Sequence, residues 1–296
     1  MKNFEISTDS TCDLYVNEYK ELDVFHACLN YTLEDKSGNL TEHLDNFQTP
    51  QEYIDFYNKL RSGVVSKTTI LNVQAHVDMF MEMAKRGIKN ALHISQSYGL
   101  SPTLDNANKA IEIVKETYPD INYKAIEART TTIGEGIVVK VACELRDEGW
   151  TLDEAIKYLE NYKMKIQHFV IVDDLMYLKR GGRVSGPKAV IGTMLQLKPI
   201  IEFSKEGKLE IVRKEMGMKK AMKSVVAEFA NFTKNDRFKS VIVHTDNLPM
   251  ATELQNMIYE AYGFRPEIRI MGPIIGSHVG PNAVAFGFAS NEQRKY

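Results

Sequence analysis

Hydrophobic and polar positions alternate along this chain in two textures: short β-rich apolar runs, and longer runs with helical spacing. Lys2–Ser7 reads as a strand entering a polar loop, and Asp23–Tyr31 as a second strand. Thr49-Pro50-Gln51-Glu52 predicts a helix start, with Thr49 as N-cap, Pro50 in the first turn and Glu52 closing a capping box. Asn72 is expected to cap a helix running to Gly87, and Asn90–Ser95 reads as a buried strand. Ser101-Pro102 is expected to start a further helix to about Glu116. Tyr123–Ala128 then reads as a strand and Thr132–Arg146 as a helix. A second capping box, Thr151 to Glu154, opens a helix to about Lys165. Strands alternating with helices of this length predict a mainly parallel sheet with helices on its faces.

After residue 166 the texture changes. Gln167–Val172 reads as a strand, followed by a loop rich in Gly, Lys and Arg and a helix near 187–195. Pro199–Phe203 and Lys208–Lys214 flank Ser204–Gly207 as a β-hairpin. Met218–Phe232 reads as a helix, Ser240–Thr245 as a strand, Pro249–Tyr262 as a helix, and Glu267–Met271 and Ala283–Ala289 as strands. The expected fold class is α/β in two domains. Residues 1–165 form an N-terminal α/β domain with a mainly parallel sheet flanked by helices. Residues 166–296 form a C-terminal α+β domain with a mixed sheet, and the ligand site falls at the junction.

Composition narrows the function classes. The 296 residues carry 37 Lys and Arg against 39 Asp and Glu, so a globally basic nucleic-acid binder is not expected. Three scattered cysteines fit a reducing cytoplasm better than a disulfide framework. No Cys/His cluster has zinc-ligand spacing, so neither a metal nor a cofactor is expected. No apolar run approaches a membrane span, and peripheral contact is the most that membrane association would involve. The near-neutral total hides a segregation. Residues 179–223 hold 12 Lys and Arg against 4 Glu, a local charge of +8 that leaves −10 on the rest. One basic surface, suited to an acidic partner or a phosphate, is therefore expected there.

Five segments could carry chemistry. Ser7-Thr8-Asp9-Ser10-Thr11 follows the first strand, where open α/β sheets bind ligands, although Asp and Ser also serve as plain turn and cap residues. Ser66-Lys67-Thr68-Thr69 precedes the Asn72-capped helix and could hold an anion, or be a plain loop. Ser95-Gln96-Ser97-Tyr98-Gly99-Leu100-Ser101-Pro102 carries a strand into a helix N-terminus and suits a carboxylate or phosphate. It contains no GxSxG elbow. Leu178–Gly186 crowds Lys179, Arg180 and Arg183 around paired glycines without P-loop order, and could meet phosphates or be a solvated basic turn. Gly272–Pro281 sets His278 in a loop punctuated by glycine and proline, where an imidazole could bind a carboxylate or assist proton transfer. Met79, Met81 and Met83 are expected to fill apolar gaps in one helix.

Taken together, these segments resemble the DegV family. STDSTCDL near the N-terminus looks like its TDSTxDL opening. LKRGGRVSG followed by LKPII is similar to its GGR segment and the Lys-Pro-Ile beyond it. GPIIGSHVGPNAVAFGF resembles its C-terminal glycine–histidine signature. Two segments depart from the pattern. Thr69 replaces the serine of the TSQPS motif, and Tyr98 and Pro102 replace the second serine and the glycine of SSxLSGTY.

The resemblance implies a two-domain fatty-acid-binding protein with a buried acyl tail, non-catalytic by itself. Some members serve as the binding subunit of a bacterial fatty-acid kinase and present the carboxylate to a separate ATP-using subunit. On matching positions, Thr68 and Ser97 would hold the carboxylate with His278 close by, and Arg183 would lie near the head group or the kinase-docking surface. Thr69 and Ser95 complete the expected ligand-binding set. The expected partners are a long-chain fatty acid and such a kinase subunit on the basic face, with the protein itself a cytoplasmic monomer. The competing expectation is a serine acyl-hydrolase using Ser97 or Ser101 with His278.

Overall fold

A computed structural model describes residues 2–185 and 196–296. In chain order the strands are β1 (Glu5–Asp9), β2 (Val24–Ala27), β3 (Asn30–Glu34), β4 (Leu40–Leu44), β5 (Val65–Thr68), β6 (Asn90–Ser95), β7 (Asn122–Glu127), β8 (Ile166–Ile171), β9 (Val184–Ser185), β10 (Leu197–Phe203), β11 (Leu209–Met216), β12 (Ser240–His244), β13 (Glu267–Ile270) and β14 (Val284–Ala289). The helices are α1 (Val16–Glu21), α2 (Pro50–Arg61), α3 (Val73–Lys85), α4 (Thr103–Thr117), α5 (Ile133–Asp147), α6 (Leu152–Tyr162), α7 (Leu175–Gly181), α8 (Met218–Glu228), α9 (Leu248–Tyr262) and α10 (Pro273–Val279).

The first half builds the parallel sheet its alternation predicts, in the order β2-β1-β6-β7. From β1 the chain moves outward to β2 on one side and later to β6 on the other. A topological switch point therefore lies between β1 and β6, where loops leaving the strand C-termini diverge and leave room for a ligand. The second half builds a seven-stranded mixed sheet, β13-β12-β14-β8-β10-β11-β9. Both capping boxes form as read, at Thr49–Glu52 and Thr151–Glu154, and Asn72 caps α3 by accepting the Ala75 amide. Met79 and Met83 are buried, with Met81 packed against the same cluster.

Helix α5 joins the halves. All but three of its fifteen residues are buried, because it packs on β1 and β6 in one direction and on β8, β12 and β14 in the other. One continuous apolar core consequently runs through residues of both sheets.

Several expectations need correction. Asp23–Tyr31 is not one strand: the Leu29 amide donates to Ser10 Oγ instead of a ladder partner, and the chain leaves the parallel sheet there. Its second part, β3, centres an antiparallel sheet, β4-β3-β5, that the sequence pattern does not reveal. Ser66–Thr68, read as loop, belongs to β5, and Thr8–Asp9 complete β1. Helix α4 starts at Thr103 with Pro102 in the cap position, so Ser101 is not its cap. The Gly272–Pro281 loop is largely helix α10, with Pro273 in its first turn and Gly280 ending it. Leu178–Gly181 is the end of α7, capped by Gly182 at φ 68°. The helix expected near 187–195 lies outside the described residues.

Candidate functional site

The site is assembled around α10. Its Ser277 Oγ lies 2.6 Å from Ser66 Oγ of β5, and Tyr57 of α2 fits over Gly276, donating from its hydroxyl to Met271 O. This packing sets His278 against two partners. His278 Nε2 is hydrogen-bonded to Thr68 Oγ1 at 2.8 Å. On the opposite side the ring lies against Gly181, where a Cβ would stand 2.3 Å from His278 Nδ1. The first glycine of the Gly181-Gly182 pair is therefore demanded by the imidazole, and the second by the left-handed cap conformation.

Burial pulls the His278 pKa down to about 4, and the nearby positive charge of Arg183 pushes it the same way. At neutral pH the ring is therefore uncharged, and the full positive charge at this end belongs to Arg183.

A cavity of about 320 Å³ opens beside this pair. Its walls are mostly apolar: Leu29 and Ile70 from the N-terminal half, Val170, Ile201 and Phe203 from the mixed sheet, and Ile274 from α10. Thr69, Ile70 and Arg183 are exposed and mark the mouth, whereas Leu29, Ile201, Phe203 and Ile274 are buried. The volume and the ratio of apolar wall to few polar groups suit a small elongated ligand.

Of the six expected ligand-binding residues, Thr68, Thr69, Arg183 and His278 line this cavity. Ser97 and Ser95 are fully buried and are not among its lining residues. Ser97 Oγ donates to Gly207 O at 2.8 Å, tying the loop after β6 to the turn between β10 and β11. Gly207, at φ 73°, must be glycine there because a Cβ would overlap the Ser97 hydroxyl. Ser95 Oγ has no partner among the described residues.

The cavity also recruits residues outside the expected ligand-binding set, two of them, Gln96 and Ser101, from the serine-rich segment noted in the sequence. Gln96, Ser101, Thr131, Thr132 and His168 contribute polar atoms to its wall. The run Thr130-Thr131-Thr132 after β7 stands at a strand C-terminus, a signal that could have flagged it. His168 offers no such signal, because it sits in the middle of an apolar strand.

The first sequence segment folds as structure. Asp9 Oδ1 accepts from the Thr11 amide at 2.9 Å and from the Thr11 hydroxyl, and Thr11 Oγ1 also lies 2.9 Å from Glu135 Oε2. Burial raises Asp9 to about 6 and Asp13 to about 7, and lifts Glu135 well above the usual carboxyl range. No group of three or more His, Cys, Asp or Glu among the described residues is placed to hold a metal. No helix among them is long and apolar enough to cross a membrane.

Comparison with known proteins follows this geometry. Residues 3–291 match the family described as "Uncharacterised protein, DegV family". A DegV domain-containing protein of Clostridium perfringens is 34% identical over 290 residues, covering 97% of this chain and 98% of that protein. A DegV domain-containing protein of Streptococcus pyogenes is 30% identical, covering 95% and 96%. Among solved structures, a DegV lipid-binding protein of Thermotoga maritima superposes with a TM-score of 0.84 at 26% identity, covering 99% of this chain and 100% of that one. A fatty-acid-binding DegV family protein of Streptococcus agalactiae does so with a TM-score of 0.81 at 25% identity, covering 99% and 100%.

Proposed function

The chain belongs to the DegV family, and from that premise we propose that it binds a long-chain fatty acid. The acyl tail lies in the apolar cavity and the carboxylate stands at its mouth. The observation that carries this reading is the Thr68–His278 pair set beside a cavity of about 320 Å³ whose walls are mostly apolar. Relatives named for lipid or fatty-acid binding share the whole fold, which supports it.

The chemistry is economical. Each buried methylene contributes about 0.8 kcal/mol, so most of the affinity comes from the tail. The carboxylate needs donors, because an unpaired anion at a dry site is penalised. In this reading neutral His278 donates its Nε2–H to Thr68 Oγ1, which frees the Thr68 hydroxyl proton for the carboxylate; Thr69 would donate only by releasing Asn30 O, and Arg183 supplies the charge. Ser97 holds the loop after β6 in place through Gly207 O, and would bind the ligand only by releasing it.

We place the division into two domains near residue 165, with the cavity between them. No covalent step is assigned to this chain alone. Arg183 is exposed at the mouth, and Lys179 and Arg180 are exposed in the last turn of the helix that leads to it; a separate ATP-dependent kinase subunit would dock there in the cytoplasm and phosphorylate the presented carboxylate. Elsewhere on the basic segment, Lys198, Arg213, Lys219 and Lys220 lie within ion-pair distance of Asp173, Glu228, Glu253 and Glu215. The acyl-hydrolase reading has less support: His278 Nε2 is engaged by Thr68, and the Ser97 hydroxyl by Gly207.

Organic extraction of the purified protein followed by mass spectrometry tests the proposal. A co-purifying long-chain fatty acid, or saturable reloading of the stripped protein, is the expected result. Failure of both would refute it.

A further inference from the structure

The cavity is not apolar to its end. Gln96 leaves β6 at the switch point, is 5% exposed and lines the cavity. Its Oε1 accepts from Thr131 Oγ1 at a long 3.5 Å, and its amide nitrogen donates to none of the described residues. The Thr131 hydroxyl is weakly engaged throughout, since its other contact, to Thr11 O, is 3.4 Å. His168 lines the same wall, stacked on Phe203, with Nδ1 3.3 Å from Thr130 Oγ1 and Nε2 without a partner among the described residues.

These three side chains lie at the closed end. Thr131 and His168 are each 3% exposed, whereas Thr69 and Arg183 at the mouth are open to solvent. Along β8, Val170 and His168 share one face and both line the cavity, while the chain beyond Val172 leads to α7 and His278. His168 thus lies about 7 Å from Val170 along β8, on the side away from α7.

A plain alkyl chain filling this end would cover the Gln96 amide without offering it an acceptor, and such unpaired burial is costly. A hydroxyl both accepts and donates. It can take the Gln96 amide proton and give its own to Thr131 Oγ1 or His168 Nε2. A water resting there would be replaced by a hydroxyl with little loss, and by a methylene only with loss.

We infer that the closed end of the cavity is a second polar subsite, selecting an acyl chain that carries a hydroxyl group well away from its carboxylate. The inference rests on the fatty-acid reading above and narrows its ligand class.

Titration calorimetry on the stripped full-length protein, with octadecanoic acid and its 2-, 10- and 12-hydroxy derivatives, tests it. The 10- or 12-hydroxy acid is expected to bind about tenfold or more tighter than octadecanoic acid, with the 2-hydroxy acid showing no such gain. In Q96L, and separately in H168F, that ratio should fall to within about twofold. Equal affinity for the hydroxylated and plain acids in the unmodified protein would overturn the inference while leaving the fatty-acid reading intact. A preference that survives both substitutions would overturn it too. Failure of all four acids to bind would refute the fatty-acid reading itself.

Discussion

His278 Nε2 meets Thr68 Oγ1 at 2.8 Å, and that bond joins α10 to the edge strand of a sheet formed 210 residues earlier in the chain. The ring is fixed on its other side by Gly181. This end of the cavity is therefore built by three segments distant in the chain.

The Gly181 contact gives the first prediction. In G181A the new methyl collides with the imidazole and displaces it from Thr68. Fatty-acid affinity should drop about tenfold, read by displacement of a fluorescent fatty acid. G182A instead places a Cβ at φ 68° and should cost about 1 kcal/mol of stability in urea unfolding. Unchanged affinity in G181A would show that the ring position does not matter to binding.

The state of His278 gives a second. With its pKa drawn down to about 4 by burial and by Arg183, the ring stays neutral through the physiological range. A histidine-selective NMR titration should find its midpoint near 4, against about 6.5 for a free imidazole. In R183Q the midpoint should rise, since a like charge is removed. A midpoint near 6.5 in the unmodified protein would contradict the packing described.

Buried acids set the pH dependence of stability. Asp9 is raised from 3.8 to about 6 by burial, so the folded state keeps a proton that the unfolded chain releases. Its contribution is present in full below pH 4 and is lost as pH rises through 6, by about 3 kcal/mol. Asp13, raised to about 7, acts in the same direction. His168, lowered to about 3, acts oppositely: its contribution is present above pH 6.5 and is lost as pH falls towards 3. D9N should therefore be more stable relative to the unmodified protein at pH 8 than at pH 5, in denaturant titrations at both pH values. An identical difference at the two pH values would rule out the buried-carboxyl account.

Arg269 is 4% exposed, donates to Asp13 O at 3.1 Å, pairs with Glu18 and Glu267, and lies 4.0 Å over the Tyr15 ring. These contacts clamp β13 to the segment around α1. R269A leaves Glu18 with Lys140 alone and removes the bond to Asp13 O, and should lose about 2–3 kcal/mol in urea unfolding. A loss below about 1 kcal/mol would mean that the clamp is replaceable.

Much of this was legible in advance, for identifiable reasons. The parallel sheet and its helices were readable because Ala91, Leu92 and Ile94 give Asn90–Ser95 a short buried run and because Thr49–Glu52 and Thr151–Glu154 mark helix starts locally. The β4-β3-β5 sheet was hidden. β4 is exposed and β5, Val-Ser-Lys-Thr, is short and polar, so neither shows an alternating core face. The Gly–His helix read as a loop because its glycines serve tertiary approach: Gly276 receives Tyr57 and Gly280 receives Tyr177. Thr68, Thr69, Arg183 and His278, picked out in the sequence, line one cavity. That Ser97 turns its hydroxyl to Gly207, and that Gln96 and His168 line the cavity, depends on long-range packing that no local pattern encodes.

The most direct test of fatty-acid binding is a calorimetric titration of stripped protein with hexadecanoic acid, beside T68V and H278A. The account predicts one saturable site, weakened about tenfold or more in each variant. No saturable binding to the unmodified protein, or binding that both variants leave unchanged, would contradict it.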